Sequence, residues 1–379
     1  MTNSNFSADE PIVGKLTIIS MKGCEGFTAK IDSYLKQMRP YETEKTYVTH
    51  IQCPRFGTGE GKSVVDNTVR GHDVYIICDV FNYSITYKMY GFENHMSPDD
   101  HYQDLKRIIA AMGGKARRVT VVMPMLYEGR QHRRKGRESL DAALMLHELV
   151  HMGVSNIITF DAHDPRICNA IPLSGFDDVQ PTYQMIKAIL KAVPDISLNK
   201  FDTVVISPDE GGMGRCMYYS SVLKLDLGMF YKRRDYSKIV DGKNPIVAHE
   251  YLGREVNGKD VIIVDDMISS GESIIDVASA LKRQGAKRIF VFSSFGLFVN
   301  GLEVFDKAYE NGIINKIFTT NLIYQQDGLT SREWYYSVDM SKYISLLIDT
   351  LNHDETISKL LDPVSKIEAI IEKYENERN

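Results

Sequence analysis

The chain alternates between short apolar runs and longer segments whose apolar residues repeat at helical spacing. The runs are rich in β-branched residues, which is typical of buried parallel strands, and the longer segments predict amphipathic helices. The predicted strands are Lys15–Ser20, Tyr47–Cys53, Asp73–Cys78, Arg118–Met125, Asn156–Phe160, Thr203–Ser207, Val261–Val264, Arg288–Phe292 and Ile317–Leu322. The predicted helices are Phe27–Met38, Asp99–Met112, Leu140–Met152, Pro181–Ala192, Ile274–Gly285 and Glu355–Glu375, the last interrupted at Pro363. Strand–helix alternation, twice over, predicts an α/β protein with two open, mainly parallel sheets flanked by helices.

Three stretches fall outside this alternation. Residues 1–12 are polar and are expected to form a flexible arm, and the polar segment Asp235–Pro245 is expected to be flexible as well. The aromatic-rich stretch Asp79–Pro98 is expected to be an irregular connection on the domain surface. No low-complexity linker separates the two halves. We therefore place the boundary near residue 178, which gives domains 1–178 and 179–352 and a helical tail, 353–379.

The composition limits the class of protein and its partners. The 379 residues are 43% hydrophobic and 25% charged, as expected of a soluble globular protein. A net charge of −5 predicts no nucleic-acid partner, and the apolar runs are too short to span a membrane. The N-terminus lacks the basic and apolar regions of a signal peptide, and the five cysteines are dispersed. Free thiols in a reducing cytoplasm are therefore expected, without a disulfide framework or zinc site.

The stretch Val261–Ser273, with the sequence VIIVDDMISSGES, contains the most informative pattern. An apolar strand leads into two adjacent carboxylates and then a loop of small residues before a helix. Loop N–H groups and a helix N-terminus bind a phosphate dianion well, and carboxylates at a strand end accept hydrogen bonds from sugar hydroxyls or face a metal. The pattern therefore predicts a sugar-phosphate site. The alternative is a buried strand with an N-capping loop, although consecutive buried aspartates are costly unless paired. The candidate residues are Asp265, Asp266, Ser269, Ser270, Gly271, Glu272 and Ser273.

Four other features have more than one interpretation. Gly61-Lys62-Ser63 is similar to the end of a P-loop, but Phe56 stands where the first glycine is needed and no helix-forming segment follows, so a glycine-rich hairpin or loop is favoured. The basic run 130–137 fits a solvated loop, a nucleic-acid contact or an ATP phosphate contact. His163, at a strand end, is a capping or core histidine, or else a metal or phosphate ligand. The basic residues 232–234 alone fit a solvated patch.

Several separated motifs together resemble one family. Val261–Ser273 resembles the phosphoribosyl diphosphate motif of the phosphoribosyltransferase superfamily, and motifs between Phe56 and Tyr324 resemble the ribose-phosphate diphosphokinase family. The chain departs from that family's pattern at Ser269, where Asp is usual, at Glu272, where Gly is usual, and at His132, where Asp is usual. Asp79–Pro98 is also longer than the usual loop. The motifs that carry the resemblance are Phe56 with Glu60, Val69-Arg70-Gly71, Tyr127 with Arg130-Gln131, Ile157–His163, Ser207-Pro208-Asp209 with Gly211-Gly212 and Arg215, Lys232 with Arg234, and Thr320-Asn321.

The resemblance implies a fold, a reaction and a role for each motif. The fold would be two tandem phosphoribosyltransferase-like domains, with the ATP elements in the first and the ribose 5-phosphate site in the second. The reaction would transfer the diphosphoryl group of ATP to ribose 5-phosphate for nucleotide biosynthesis, with Mg²⁺ as the cofactor. A homo-oligomer based on dimers is implied, which could extend to a hexamer. By resemblance, Lys232 and Arg234 are catalytic; Phe56, Glu60, Arg130, Gln131 and His163 bind ATP; His163 and Asp209 serve the metal; and Asp265, Asp266 and Ser269–Ser273 bind ribose 5-phosphate.

Two alternatives remain open from the sequence. A phosphoribosyltransferase would share Val261–Ser273, but it would need one such domain and neither the Phe56/Glu60 nor the Lys232/Arg234 pair. A catalytically silent regulatory homologue of the synthetase would be expected to lack some catalytic residue types, and the sequence keeps each of those placed here.

Overall fold

In the computed structural model, residues 12–234 and 246–378 are described, apart from the side chains of residues 232–234, 246–249 and 378. The predicted arm, up to residue 11, and the predicted flexible segment 235–245 lie outside the described residues. No helix within the described ranges is both long and apolar enough to cross a membrane.

The described residues form 17 β-strands and ten α-helices. The strands are β1 (Leu16–Ser20), β2 (Val48–Thr49), β3 (Ile51–Gln52), β4 (Val64–Val65), β5 (Asp73–Ile77), β6 (Thr86–Met89), β7 (Phe92–His95), β8 (Arg118–Val122), β9 (Asn156–Phe160), β10 (Gly175–Val179), β11 (Thr203–Ser207), β12 (Asp226–Arg234), β13 (Ile246–Leu252), β14 (Asp260–Ile268), β15 (Arg288–Gly296), β16 (Lys316–Thr320) and β17 (Tyr335–Val338). The α-helices are α1 (Glu25–Met38), α2 (Pro98–Met112), α3 (Asp141–His151), α4 (Thr182–Ala192), α5 (Met213–Leu223), α6 (Glu272–Arg283), α7 (Glu303–Glu310), α8 (Ser341–Asn352), α9 (Ser358–Leu361) and α10 (Val364–Arg378).

The chain divides into two compact units, each built from three stretches. Unit 1 comprises Met1–Pro181, Asn321–Tyr324 and Asp339–Asp362. Unit 2 comprises Thr182–Thr320, Gln325–Val338 and Pro363–Asn379. The predicted boundary near residue 178 lies close to this division, but the sequence assigned residues 339–352 to the second domain and the structure places them in unit 1.

A buried ion pair explains the position of α8 in unit 1. The guanidinium of Arg39, which follows α1, is 1% exposed and donates from Nε to Asp349 Oδ1 of α8 at 2.6 Å. Its Nη2 donates to Asn352 Oδ1 at 2.9 Å, and Asn352 in turn donates to Asp73 Oδ2 of β5 at 2.9 Å. Such partners lie hundreds of residues apart in sequence, so local patterns could not reveal them.

Unit 1 contains a parallel sheet with the strand order β10-β9-β8-β5-β1-β2. Every residue of β5 is buried, as the apolar run predicts for a central strand. Because the strands are parallel, the loops that follow β8 and β9 leave from the same edge of the sheet. That edge carries Arg130, Gln131 and His163.

Unit 2 contains a second sheet with the order β13-β12-β11-β14-β15-β16-β17, in which only the β12–β13 pair is antiparallel among the described strands. The central strand β14 is flanked by β11 and β15, and its apolar residues Val261–Val264 are each at most 1% exposed. The two sheets confirm the predicted α/β fold with two tandem domains. They also place Asp209, after β11, beside the acidic pair on β14.

Several local predictions are wrong. Asp79–Pro98 is not irregular, because β6 and β7 form an antiparallel hairpin within it. The strand predicted at Val261–Val264 continues to Ile268, so both aspartates lie inside β14. Strands β10, β12, β13 and β17 were not predicted, since their charged and polar residues break the apolar pattern.

Candidate active site

The predicted sugar-phosphate loop lies between β14 and α6 in unit 2. Strand β14 ends at Ile268, and α6 begins at Glu272 with Gly271 as its N-terminal capping residue. The backbone N–H of Val299 donates to the Ser269 carbonyl at 3.0 Å, which fixes the start of the loop. Ser269 and Ser270 are half-buried, whereas Glu272 and Ser273 are exposed at the first turn of the helix. The loop can therefore direct hydroxyls and helix N–H groups towards an anion.

Gly271 meets two requirements of this loop. Its φ of +87° lies in the left-handed region, which glycine adopts without a steric penalty. A Cβ at this position would overlap Cζ of Phe305 and lie 2.7 Å from its Cε1. Phe305 is 1% exposed and stacks on Trp334 at a centroid distance of 5.5 Å. The position therefore excludes other residue types.

Burial and neighbouring charges both act on the acidic pair. Burial is the main reason that the pKa of Asp265 lies well above its usual range, and the neighbouring charge of Asp266 raises it further. Asp209 also raises this pKa, whereas the guanidinium of Arg215 lowers it. The backbone N–H of Asp266 donates to Asp265 Oδ1 at 2.9 Å. Three carboxylates and one guanidinium thus influence one small region, which favours sugar hydroxyls or a cation as ligands.

A tight turn orients Asp209 at the end of β11. Its Oδ1 accepts hydrogen bonds from the backbone N–H groups of Gly211 at 2.9 Å and Gly212 at 3.1 Å. The hydroxyl of Ser207 donates to the Asp209 carbonyl at 2.7 Å. The backbone N–H groups of the two glycines therefore hold the carboxylate in one orientation.

The Phe56–Glu60 segment of unit 1 is the tip of a β-hairpin. Strands β3 and β4 pair in an antiparallel register, and a bridge joins Arg55 to Gly61. At the tip, the Phe56 N–H donates to the Glu60 carbonyl at 2.7 Å, and Thr58 Oγ1 donates to Glu60 Oε2 at 2.8 Å. The Phe56 side chain is 56% exposed. The hairpin favoured over a P-loop is therefore present, and it displays an aromatic ring to solvent.

The basic loop after β8 approaches the end of β9. The rings of His132 and His163 lie 5.4 Å apart, and His132 Nε2 lies 3.3 Å from Asp164 Oδ2. Arg166 donates to Asp164 and lowers the pKa of that carboxyl to about 2. Arg130 and His163 are exposed at this edge. The structure therefore brings the loop and the strand-end histidine together.

Gln131, to which the resemblance assigns a role in ATP binding, makes its side-chain contacts within its own loop. Its Nε2 donates to the Ser139 carbonyl at 2.8 Å, so its side chain closes its own loop. Two residues to which the sequence assigned no role lie within the site, namely His132 beside His163 and Arg215 near Asp265. His132 was noted as a departure from the family pattern, and Arg215 as a member of the family motif that contains Asp209.

The proposed catalytic pair could be located only by its backbone. Lys232 and Arg234 are the end of β12, which pairs with β13 with an irregularity between Arg233 and Arg234. Their side chains lie outside the described residues. The pair therefore belongs to a strand and not to a loop, and the segment that follows it, 235–245, is not described.

Comparisons with known proteins agree with this arrangement. The sequence model of the protein family described as the N-terminal domain of ribose phosphate pyrophosphokinase matches residues 16–153. The family model of the phosphoribosyl transferase domain matches residues 179–309. A ribose-phosphate pyrophosphokinase from Mycoplasma genitalium is 30% identical over 279 residues, which cover 72% of this chain and 75% of the relative. The chain belongs to the ribose-phosphate pyrophosphokinase family. Another member, from Vibrio cholerae, is 28% identical over 81% of this chain and 90% of its own length.

A solved member has the same fold. The phosphoribosylpyrophosphate synthetase from Mycobacterium smegmatis aligns with a TM-score of 0.72 at 20% identity, over 90% of this chain and 99% of its own. Among the described residues, no group of three or more His, Cys, Asp or Glu side chains is arranged to hold a metal ion by itself.

Proposed function

We propose that the chain is a ribose-phosphate diphosphokinase that converts ATP and ribose 5-phosphate into 5-phosphoribosyl 1-diphosphate and AMP. The observation that carries this proposal is the coexistence of an acidic pair and phosphate loop in unit 2 with a family-specific N-terminal domain. A phosphoribosyltransferase would need only the former. The anomeric hydroxyl of the sugar attacks the β-phosphorus of ATP in line, the bond to the α-phosphate oxygen breaks, and AMP leaves.

The sugar phosphate is proposed to bind at the carboxyl end of β14. Asp265 and Asp266 accept hydrogen bonds from the 2- and 3-hydroxyls of ribose, because a carboxylate offers only acceptors when it is ionised. A bound cation would favour that ionised form at Asp265, whose pKa is raised in the ligand-free protein. The 5-phosphate lies in the loop Ser269–Ser273, at the N-terminus of α6. The left-handed backbone of Gly271 supports this placement, since it turns the loop tightly into the helix.

ATP is proposed to bind to unit 1. Phe56 stacks on the adenine ring, and Glu60 accepts a hydrogen bond from the exocyclic amine. Arg130 contacts the phosphates, a role that its exposure at the sheet edge supports. Gln131 contacts ATP only if it releases the Ser139 carbonyl, so its role in this chain is the least supported of the set.

Magnesium is the proposed cofactor, and the donor set fits it in part. Magnesium prefers oxygen ligands and keeps several waters, so Asp209 would be a suitable partner and His163 would serve the metal through water. Bound Mg²⁺ would neutralise charge on the triphosphate. The crowded carboxylates near Asp265 support a cation there, because each lowers the cost of binding a positive charge. Lys232 and Arg234 stabilise the transferring diphosphoryl group.

Two further proposals concern the assembly and the compartment. The protein is a homo-oligomer based on dimers, which sedimentation of the purified chain would test. It works in the cytoplasm, which is supported by five free cysteines, all of them within the described residues.

Phosphorus NMR of the purified protein with magnesium, ATP and ribose 5-phosphate tests the reaction. AMP together with a new sugar diphosphate supports the proposal, and omission of ribose 5-phosphate should abolish both signals. ADP in place of AMP would mean attack at the γ-phosphorus and therefore a simple kinase. Binding of phosphoribosyl diphosphate without turnover would instead favour a transferase or a silent homologue.

A further inference from the structure

The stretch Asp79–Pro98 folds into a closed hairpin. Strands β6 and β7 pair from Thr86 opposite His95 to Met89 opposite Phe92, and the Met96 N–H donates to the Ile85 carbonyl at 2.8 Å at the base. The two turn residues, Tyr90 and Gly91, have φ values of 49° and 83°. Two-residue turns with positive φ match the twist of paired strands. The insertion is therefore a defined element, which we call the β6–β7 hairpin.

The tip of the β6–β7 hairpin contacts the loop proposed to bind adenine. The Tyr90 N–H donates to the Gly57 carbonyl at 2.8 Å. A Cβ added to Gly59 would lie 2.8 Å from Met89 Sδ, so Gly59 packs closely against that side chain. A bulky residue with positive φ is uncommon, and Tyr90 adopts this conformation where its N–H reaches the loop. The loop is thus held from outside at two of its residues.

The β6–β7 hairpin and helix α2, which follows it, also hold the base of the Phe56–Glu60 loop. The Arg55 guanidinium lies 5.1 Å from the centroid of the Tyr87 ring on β6. Its Nη2 donates to Asp104 Oδ2 of α2 at 2.9 Å, and both side chains are at most 8% exposed. Asp104 also accepts from Arg107 at 2.7 Å. The segment between Arg55 and Gly61 is therefore fixed at base and tip, although Phe56 between them is 56% exposed.

We propose that the β6–β7 hairpin is a positioning element for the nucleotide base, which sets the affinity for ATP by holding the Phe56–Glu60 loop in its binding conformation. The inference rests on the proposed role of Phe56 and Glu60 in ATP binding. An exposed ring on a free loop would lose conformational entropy when a base stacks on it, and a loop fixed in advance avoids that cost. The contacts described above join the hairpin to the ATP loop and its base, so its effect should be confined to the nucleotide.

Three variants separate this role from a general effect on folding. Met89→Ala removes the side chain that packs on Gly59. The second variant replaces Thr86–His95 with Asn-Gly, which the hydrogen bond between Ile85 and Met96 makes geometrically feasible. The control, Phe92→Ala, removes a large apolar side chain opposite Met89 that is 76% exposed.

The expected result is a rise in KM for ATP of about fivefold in Met89→Ala and more in the excised variant, with KM for ribose 5-phosphate within twofold of wild type. Hydrogen exchange of the amides of residues 57–60 should be faster in both variants and unchanged in Phe92→Ala. A wild-type KM for ATP and wild-type hydrogen exchange in the variant that lacks Thr86–His95 would overturn the proposal. If that variant does not fold, the same two measurements on Met89→Ala decide.

The proposed function can fail separately from this inference. Absence of sugar diphosphate from wild-type protein would refute the proposed reaction. The positioning role would then be judged by hydrogen exchange at residues 57–60 and by binding of a fluorescent ATP analogue to the same variants. Unchanged exchange and unchanged analogue affinity would overturn the positioning role, whereas faster exchange with weaker binding would support it without the reaction.

Discussion

Replacement of Gly271 by alanine tests how closely the phosphate loop is fixed by its surroundings. The substitution adds one methyl group at the N-terminus of α6, and two penalties follow. A φ of +87° is unfavourable for any residue with a Cβ, and the methyl group would overlap the ring of Phe305. Phe305 cannot move away freely, because its ring packs on Trp334 and on Phe298 with centroids 5.5 and 4.9 Å apart.

The magnitudes of the two penalties can be set out separately, and a control variant distinguishes them. A left-handed conformation costs a residue other than glycine about 1–2 kcal/mol. Overpacking of a closely packed core adds about 1–3 kcal/mol. Gly301 has a similar φ of +82°, but no atom lies within 4 Å of a Cβ built there. Gly301→Ala should therefore cost only the first penalty, and Gly271→Ala about 2–5 kcal/mol in total.

The assay compares both variants in unfolding and in turnover. Denaturant unfolding measures the free-energy difference, and KM for ribose 5-phosphate reports the geometry of the loop. We expect Gly271→Ala to raise that KM at least tenfold, since a displaced phosphate loop misaligns the sugar, and Gly301→Ala to leave it unchanged. Equal destabilisation and equal KM in the two variants would refute the argument. Phe305→Leu combined with Gly271→Ala should recover part of the loss if the overlap is its cause.

Three further predictions concern charge. Lys232→Ala should lower kcat by about 10²–10³-fold with the fold intact, and turnover within tenfold of wild type would exclude the proposed role. Burial raises the pKa of Asp79 to about 6. The folded state therefore binds the proton of the Asp79 carboxyl more tightly than the unfolded chain does, and the resulting stabilisation is lost as pH rises through about 6. Denaturant unfolding between pH 4 and 7 should show a fall of about 2–3 kcal/mol that is missing from Asp79→Asn. Arg39→Met should cost about 3–5 kcal/mol by removing the guanidinium partner of the buried Asp349 carboxylate, and Asp349→Leu in the same chain should restore most of it.

The strands of highest apolar content were predictable because burial on both faces leaves a continuous signal. Val261–Val264 and Thr203–Ser207 are of this kind, and each lies at the centre of a sheet. Edge strands give no such signal. Strand β10, with the sequence GFDDV, lies at the edge of the unit 1 sheet and is only partly buried, so its aspartates do not oppose strand formation.

The β6–β7 hairpin shows why a sequence motif can be recognised while the element that holds it in place is not. Phe56 and Glu60 were recognisable from the family pattern, but the hairpin belongs to an insertion that the pattern does not contain. Its turn, Tyr90-Gly91, lacks the Asn-Gly or Asp-Gly pair that would have indicated a two-residue turn. The same applies to Arg55, whose partner Asp104 is 49 residues away.

Because unit 1 is built from three stretches of the chain, truncation at the C-terminal side affects its stability. A chain ended before Asp339 would keep the family-matched regions, 16–153 and 179–309, but would lose α8. Arg39 would then lose Asp349 and Asn352, and Asp73 would lose the amide of Asn352, in a region where these groups are almost fully buried. Arg39 would keep Glu42 and Asp73 would keep Arg118, but removal of one partner of a buried ion pair costs about 3–5 kcal/mol, which is a large part of the stability of a domain. The stretch Asp339–Asp362 is therefore part of the unit that carries the ATP loop, and a shortened chain should fail in unit 1 although the deleted helix lies far from that loop in the sequence.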